Sequence, residues 1–209
     1  PIWGPRFRGP RPRGGARGAL PRGTVSGRPG MGPGDRRVAA WGPGSGPEAK
    51  ILAGGQSLMP LCNLRLIKPR VVIDLNRVSK LNVINEVSGG LSIGAMTRQS
   101  SVERSLLVRE RCPVLSEAIK YIGHVAIRHR GTMGGSLAHA DPAAELPAVA
   151  LALDAKFEVI RNGASRTIPA EDFFIDYLTT ALGPDEILKE IIFPALRPSS
   201  GYAVEEIAR

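Results

Sequence analysis

Cysteine is almost missing from this chain: Cys62 and Cys112 are the only two among 209 residues. That excludes a Cys-ligated iron–sulfur cluster, a four-Cys zinc site and a disulfide framework built within the chain. Long apolar runs are missing too. The richest, Pro147–Leu153, falls far short of the ~18 consecutive apolar residues of a membrane-spanning helix. The first residues hold no apolar stretch leading to a cleavage site, so a soluble, cytoplasmic protein is the expectation. Neither GxGxxG nor GxxxxGK[ST] occurs. His139 lacks a HExxH context, and His124 and His129 stand five apart, which does not place two ligands on one helix face, so no metal ligand is expected. Ser57 and Ser136 lack the GxSxG setting of an acyl-transfer nucleophile.

What is present is unevenly spread. Residues 1–49 carry nine Arg against Asp35 and Glu48, together with 13 of the 25 Gly and nine of the 18 Pro. The remaining residues hold 19 basic and 17 acidic side chains, so the formal charge of +9 belongs chiefly to one end. That end shows no helical or strand periodicity, and Gly and Pro interrupt every run. Residues 1–47 are therefore expected to form a disordered Arg/Gly/Pro-rich tail, with a mistranslated start as the other explanation of their texture. Arg6, Arg8, Arg11, Arg13 and Arg17 could track phosphates, which sets a non-enzymatic nucleic-acid-binding protein as the alternative function. Only Trp3, Phe7 and Trp41 interleave as aromatics.

From Glu48 onward the pattern is mixed α and β. Val71–Leu75 is a short β-branched run. Leu81–Val87, the turn Ser88-Gly89-Gly90 and Leu91–Ala95 form a hairpin-like pair. Thr97 is expected to cap a helix running through Ser101, Val102 and Leu106. Val114–Ile127 carries one helical stripe, and Pro147–Leu153 suits a short buried helix. Lys156–Arg161 and Ser165–Ile168 flank Asn162-Gly163, a pair that favours a type I′ turn. Leu188–Phe193 is a last strand before Pro194. Hairpins mixed with helices indicate an α+β fold.

Two glycine-rich segments are the candidates for chemistry. Ala53-Gly54-Gly55-Gln56-Ser57-Leu58 follows the apolar pair Ile51-Leu52. Paired glycines let backbone N–H groups face a ligand without a Cβ in the way, so the turn could form a nest for phosphate oxygens; an ordinary strand-to-helix turn is the plainer reading. The second segment, Thr132-Met133-Gly134-Gly135-Ser136, leads to a polar cluster with a helix expected to start near Pro142. Asp141 and Glu145, four apart, could share a helix face as acid and base, hold a ribose hydroxyl, or cap the helix. Two such loops suggest one dinucleotide held between two subdomains.

AGGQSLMPLCNLRL at 53–66, SIGAMTRQSSVE at 92–103 and RHRGTMGGSLAHADPAAELPA at 128–148 together resemble the FAD-binding medium subunit of molybdenum hydroxylases, of the xanthine dehydrogenase and aerobic carbon monoxide dehydrogenase type. The resemblance runs from about Glu48 to Arg209, as of a member truncated at both ends. It implies an FAD-binding domain of two α/β subdomains over 48–195, with 196–209 beginning a C-terminal domain. It implies FAD contacts by Ala53, Gly54, Gly55, Gln56, Ser57 and Leu58 around the pyrophosphate, and by Thr132, Met133, Gly134, Gly135 and Ser136 on the other side of the dinucleotide. Glu145 matches an acidic position that contacts the cofactor, and Ile122 and Leu188 fall where apolar residues line the flavin or adenine. No side chain is implied as a catalytic acid or base. The implied partners are a molybdenum-cofactor large subunit and an iron–sulfur small subunit, with NAD or a quinone as electron acceptor.

Overall fold

The computed structural model describes residues 49–197 and 199–207. The expected N-terminal tail of residues 1–47, and with it the nucleic-acid reading, lies outside them. Two pieces of unequal size make up the described residues. The smaller is a parallel strand–helix–strand unit: β1 (Ala49–Leu52), α1 (Leu58–Asn63) and β2 (Val71–Asp74), with Ala49 opposite Val71 and Leu52 opposite Asp74.

The larger piece is built on a five-stranded antiparallel sheet. Its strands are β3 (Ile84–Val87), β4 (Gly90–Gly94), β5 (Lys156–Arg161), β6 (Ala164–Pro169) and β9 (Ile187–Pro194), in the order β3-β4-β9-β5-β6. β9 arrives last in the chain and enters the middle of the sheet, pairing with β4 on one side and β5 on the other. Between the two hairpins lie six helices: α2 (Gln99–Arg104), α3 (Leu106–Arg111), α4 (Pro113–Ala118), α5 (Val125–Arg130), α6 (Met133–His139) and α7 (Glu145–Ala152). A short α8 (Ala170–Phe173) and the two-stranded β7 (Phe174–Asp176) and β8 (Thr179–Thr180) link β6 to β9.

Strand alternation sorts the sheet's two faces. Leu91, Ile93, Phe157, Val159, Ile191 and Phe193 are fully buried and join Val102, Leu115, Ile119, Leu137 and Leu146 from the helices in a single core. The intervening positions form a polar row. Ser92 donates its hydroxyl proton to Glu190, and Lys189 Nζ bridges Glu158 Oε1 at 2.9 Å and Glu190 Oε1 at 3.0 Å. Asn162 and Gly163 take φ of 47° and 83°, the left-handed pair that an Asn-Gly hairpin requires.

Three sequence expectations change. Thr97 does not cap a helix: its hydroxyl donates to Val83 O at 3.1 Å, and α2 starts at Gln99 behind Arg98. That helix stops at Arg104 because Ser105 is extended and starts α3 instead, its hydroxyl accepting from Val108 N. The stripe Val114–Ile127 is also two helices rather than one. A 3₁₀ turn at Ile119–Tyr121 follows α4, and Ile122, at ψ 97°, leads the chain out before α5.

Phe157 and Phe173 stack with centroids 3.9 Å apart and 17° between planes, and Phe174 meets both edge-on. This trio fastens α8 to the sheet beneath it. Phe173→Ala is expected to cost about 3–5 kcal/mol of unfolding free energy in a denaturant titration. Tyr177→Ala, at a 68% exposed position, should change it by no more than about 0.5 kcal/mol.

Candidate functional site

The first glycine loop joins β1 to α1 and is held at both ends. Leu75 N donates to Leu52 O at 3.1 Å, and Met59 N donates to Gly55 O at 3.1 Å. Between these anchors, the amides of Gly54, Gly55, Gln56, Ser57 and Leu58 donate to no acceptor among the described residues. Gln56 Nε2 donates to Gly54 O at 3.2 Å, which folds its side chain along the loop. Ser57 precedes α1 without using its hydroxyl as a cap. A run of open amides with no side chain competing for them is a neutral cradle for an anion.

The second segment differs from its sequence reading. Thr132–Ser136 is not a loop that precedes a helix near Pro142: α6 already begins at Met133, with Gly134 and Gly135 in its first turn. Their amides are spent. Met133 N donates to Thr97 O at 3.0 Å, Gly134 N to Ala95 O at 2.8 Å, and Gly135 N to Thr132 Oγ1 at 3.1 Å. The next helix, α7, starts at Glu145, so Asp141 lies outside it and shares no helix face with Glu145. Instead, Asp141 Oδ1 accepts from Ala143 N at 2.9 Å within the connecting turn.

The glycines serve close packing between these segments. A Cβ on Gly54 would fall 2.4 Å from Arg130 O and 2.8 Å from Gly131 Cα; one on Gly135 would fall 2.7 Å from Thr132 Oγ1 and 3.2 Å from Ala53 Cβ. Bare backbone therefore lies against bare backbone. Two side chains lock the contact. Asn76 Nδ2 donates to Ala53 O at 3.0 Å, and Arg98 donates to both Asn76 Oδ1, at 2.5 Å, and Arg130 O. Asp74 Oδ1 accepts from Asn76 N at 2.8 Å, and this hydrogen bond holds its carboxyl below the usual carboxylate range. Behind α5 the mostly buried Arg128 pairs with Glu103 at 3.0 Å and donates to Ile122 O and Gly123 O, which fixes the turn carrying Ile122.

These contacts frame a cavity of about 350 Å³. Ala53, Gly54, Gly55, Gln56, Ser57, Leu58, Ile122, Thr132, Gly134, Gly135, Ser136, Glu145 and Leu188 all line it. Met133 does not: it is fully buried in the core. The wall also includes Leu75, Met96, Gln99, Ile127, Leu182, Glu186 and Ile187, none of them among the expected site residues. These residues are scattered along the chain and carry no common pattern. Among the described residues no Lys or Arg lines the cavity, so a bound anion would meet amides and hydroxyls rather than cations. Apolar residues line the rest of it, and the residues present fit a ligand with an anionic part and flat apolar parts.

Two carboxylates on the wall behave differently. Burial pushes the Glu145 carboxyl above its ordinary value, helped by repulsion from Glu206 and Asp141. Glu186 is held down to about 2, first by its hydrogen bonds from Arg166, at 2.7 and 2.8 Å, and also by Gly183 N at 2.7 Å. Because that pKa is depressed on folding, the stabilisation it brings is present above the ordinary value of 4.5 and is lost as pH falls toward 2. Melting curves at pH 6 and pH 3 should show a larger acid loss for the unaltered chain than for Arg166→Ala. Gly54→Ala, which pushes two backbones apart, should cost about 1–3 kcal/mol in chemical denaturation.

The sequence of residues 38–196 matches the family described as FAD binding domain in molybdopterin dehydrogenase, a match that begins upstream of Glu48. Over 164 residues the chain is 43% identical to subunit alpha of the 6-hydroxypseudooxynicotine dehydrogenase complex of Paenarthrobacter nicotinovorans, covering 78% of this chain and 55% of that protein. It is 40% identical to the carbon monoxide dehydrogenase medium chain of Hydrogenophaga pseudoflava, covering 78% of this chain and 57% of that one. The fold overlays a solved structure of carbon monoxide dehydrogenase from Hydrogenophaga pseudoflava, one lacking the Mo-pyranopterin moiety, with a TM-score of 0.79 over 83% of this chain and 60% of that one. The chain thus spans little more than half the length of the relatives it matches. It belongs to the family of FAD-binding domains found in molybdopterin dehydrogenases.

Proposed function

We propose that this chain holds FAD in the cavity between its first glycine loop and α6, as the flavin-bearing medium part of a molybdenum hydroxylase complex. The observation that carries the reading is the run of open amides at Gly54–Leu58, in residues that line a cavity with no Lys or Arg among the described residues. In this reading those amides and the Ser57 hydroxyl bind the pyrophosphate. Thr132 and Ser136, which line the same cavity, add hydroxyls. Ile122 and Leu188 cover apolar ring surface, and Glu145 accepts from a hydroxyl or ring N–H of the cofactor.

FAD supplies the redox chemistry, taking electrons singly and releasing them in pairs. The chain's own residues bind it, orient it and keep bulk water from its ring edges. Electrons would come from the iron–sulfur clusters of a small subunit, fed by a molybdenum-cofactor large subunit, and would leave to NAD or a quinone. Within the described residues, two isolated cysteines, one buried and one half-buried, offer no cluster of their own.

FAD added to the purified chain should remain after desalting at one equivalent per chain, read from the flavin's visible absorption. Gly54→Ala should lose the flavin. Gly201→Ala, whose added methyl meets nothing within 4 Å, should keep it. A colourless unaltered chain after incubation with excess FAD would refute the reading. Mixing the loaded chain with a reduced iron–sulfur partner should then bleach the bound flavin.

A further inference from the structure

Gln99 stands at the start of α2, only 4% exposed, on the cavity wall near Ile122, Ile127 and Gly131. Its backbone is satisfied, since its amide donates to Gly131 O at 3.0 Å. Its carboxamide is not. Oε1 is sealed from solvent and accepts from no donor, the one buried side-chain polar atom in that state among the described residues. A buried acceptor without a donor has given up its water and gained nothing in return.

The backbone makes room for this unsatisfied group. A Cβ on Gly131 would fall 2.4 Å from Gln99 Oε1 and 2.9 Å from its Cδ. Any side chain at 131 would therefore displace the carboxamide. Oε1 does not reach the cavity in this conformation, so a ligand meets it only after the side chain turns about its torsions, the last of which is broad in Gln.

We propose that Gln99 is a ligand-binding residue of this cavity, its carboxamide turning out of the sealed position beside Gly131 to pair with the donor–acceptor edge of a heterocycle of the bound dinucleotide; the inference rests on the FAD reading above. A pyrophosphate offers acceptors only and would leave Oε1 unpartnered. Ile122 and Ile127 line the same cavity with apolar surface, which suits the face of a ring better than a free hydroxyl. An amide carries one donor beside one acceptor, the pattern that lets Gln pair bidentately with adenine. Adenine's exocyclic amine beside a ring nitrogen offers that edge, and so does the flavin's imide N–H between its carbonyls.

Gln99→Met keeps the length and volume of the side chain while discarding both polar ends. The expected result is an FAD affinity about tenfold weaker in a flavin-fluorescence titration, the scale of one buried hydrogen bond. The unliganded variant should melt at the same temperature as the unaltered chain or higher, because the orphaned acceptor is gone. ADP and FMN titrated separately assign the edge: the loss follows ADP if adenine is the partner and FMN if the flavin is. Unchanged or improved FAD affinity overturns the proposal while leaving the FAD reading intact. So does a weaker affinity accompanied by a lower melting temperature of the unliganded variant, which marks a packing role. If the unaltered chain takes no FAD, both fall together.

Discussion

The close approach of two bare backbone segments, Gly54 against Arg130–Gly131, is the constraint on which the site depends. With a Cβ on Gly54 only 2.4 Å from Arg130 O, the strand–helix–strand unit and the α5–α6 turn could not meet as they do. Their meeting forms the cavity floor, and Asn76 and Arg98 tie its two sides to each other through carbonyls of the loops themselves. Arg98 is half-buried, and a contact of this kind near the surface contributes little to stability. Its value lies in direction: one guanidinium sets the spacing of both segments at once.

The two glycine segments divide the work unequally. Around Gly54–Leu58 the amides donate to no acceptor among the described residues, and these residues line the cavity. In the first turn of α6 the same chemistry is consumed by Thr97, Ala95 and Thr132, and the glycines there permit packing instead. One segment keeps its amides open and the other spends them on packing. Among the described residues no Lys or Arg lines the cavity, which agrees with this division, since open amides offer an anion donors without a mobile, hydrated cation. On the far wall, Arg166 and Gly183 hold Glu186 in its ionised form, so this carboxylate shapes the 181–187 segment rather than offering itself to a ligand.

Much was legible from the residues in order. The β-branched run at Val71–Asp74, the Asn-Gly hairpin and the strand ending at Pro194 are local signals, and the chain obeys them. The paired glycines marked the site because only a missing Cβ allows such backbone contact. Helix continuity was less legible: the stripe Val114–Ile127 keeps its period across a break that Arg128 enforces by drawing in the carbonyls of Ile122 and Gly123. The Thr97 hydroxyl was likewise claimed by Val83 O from the preceding strand connection, a partner no local pattern reveals.

The sequence alone determined the α+β class, the two glycine segments and the family to which they belong, because turns, strand periods and missing side chains act over a few residues. Only the tertiary structure decided which amides stay open, which helix carries the second glycine pair, and that Gln99 lies unsatisfied beside Gly131. Each of these depends on partners brought together from distant parts of the chain, and a hydrogen bond is satisfied or left unmet only once its neighbours are in place.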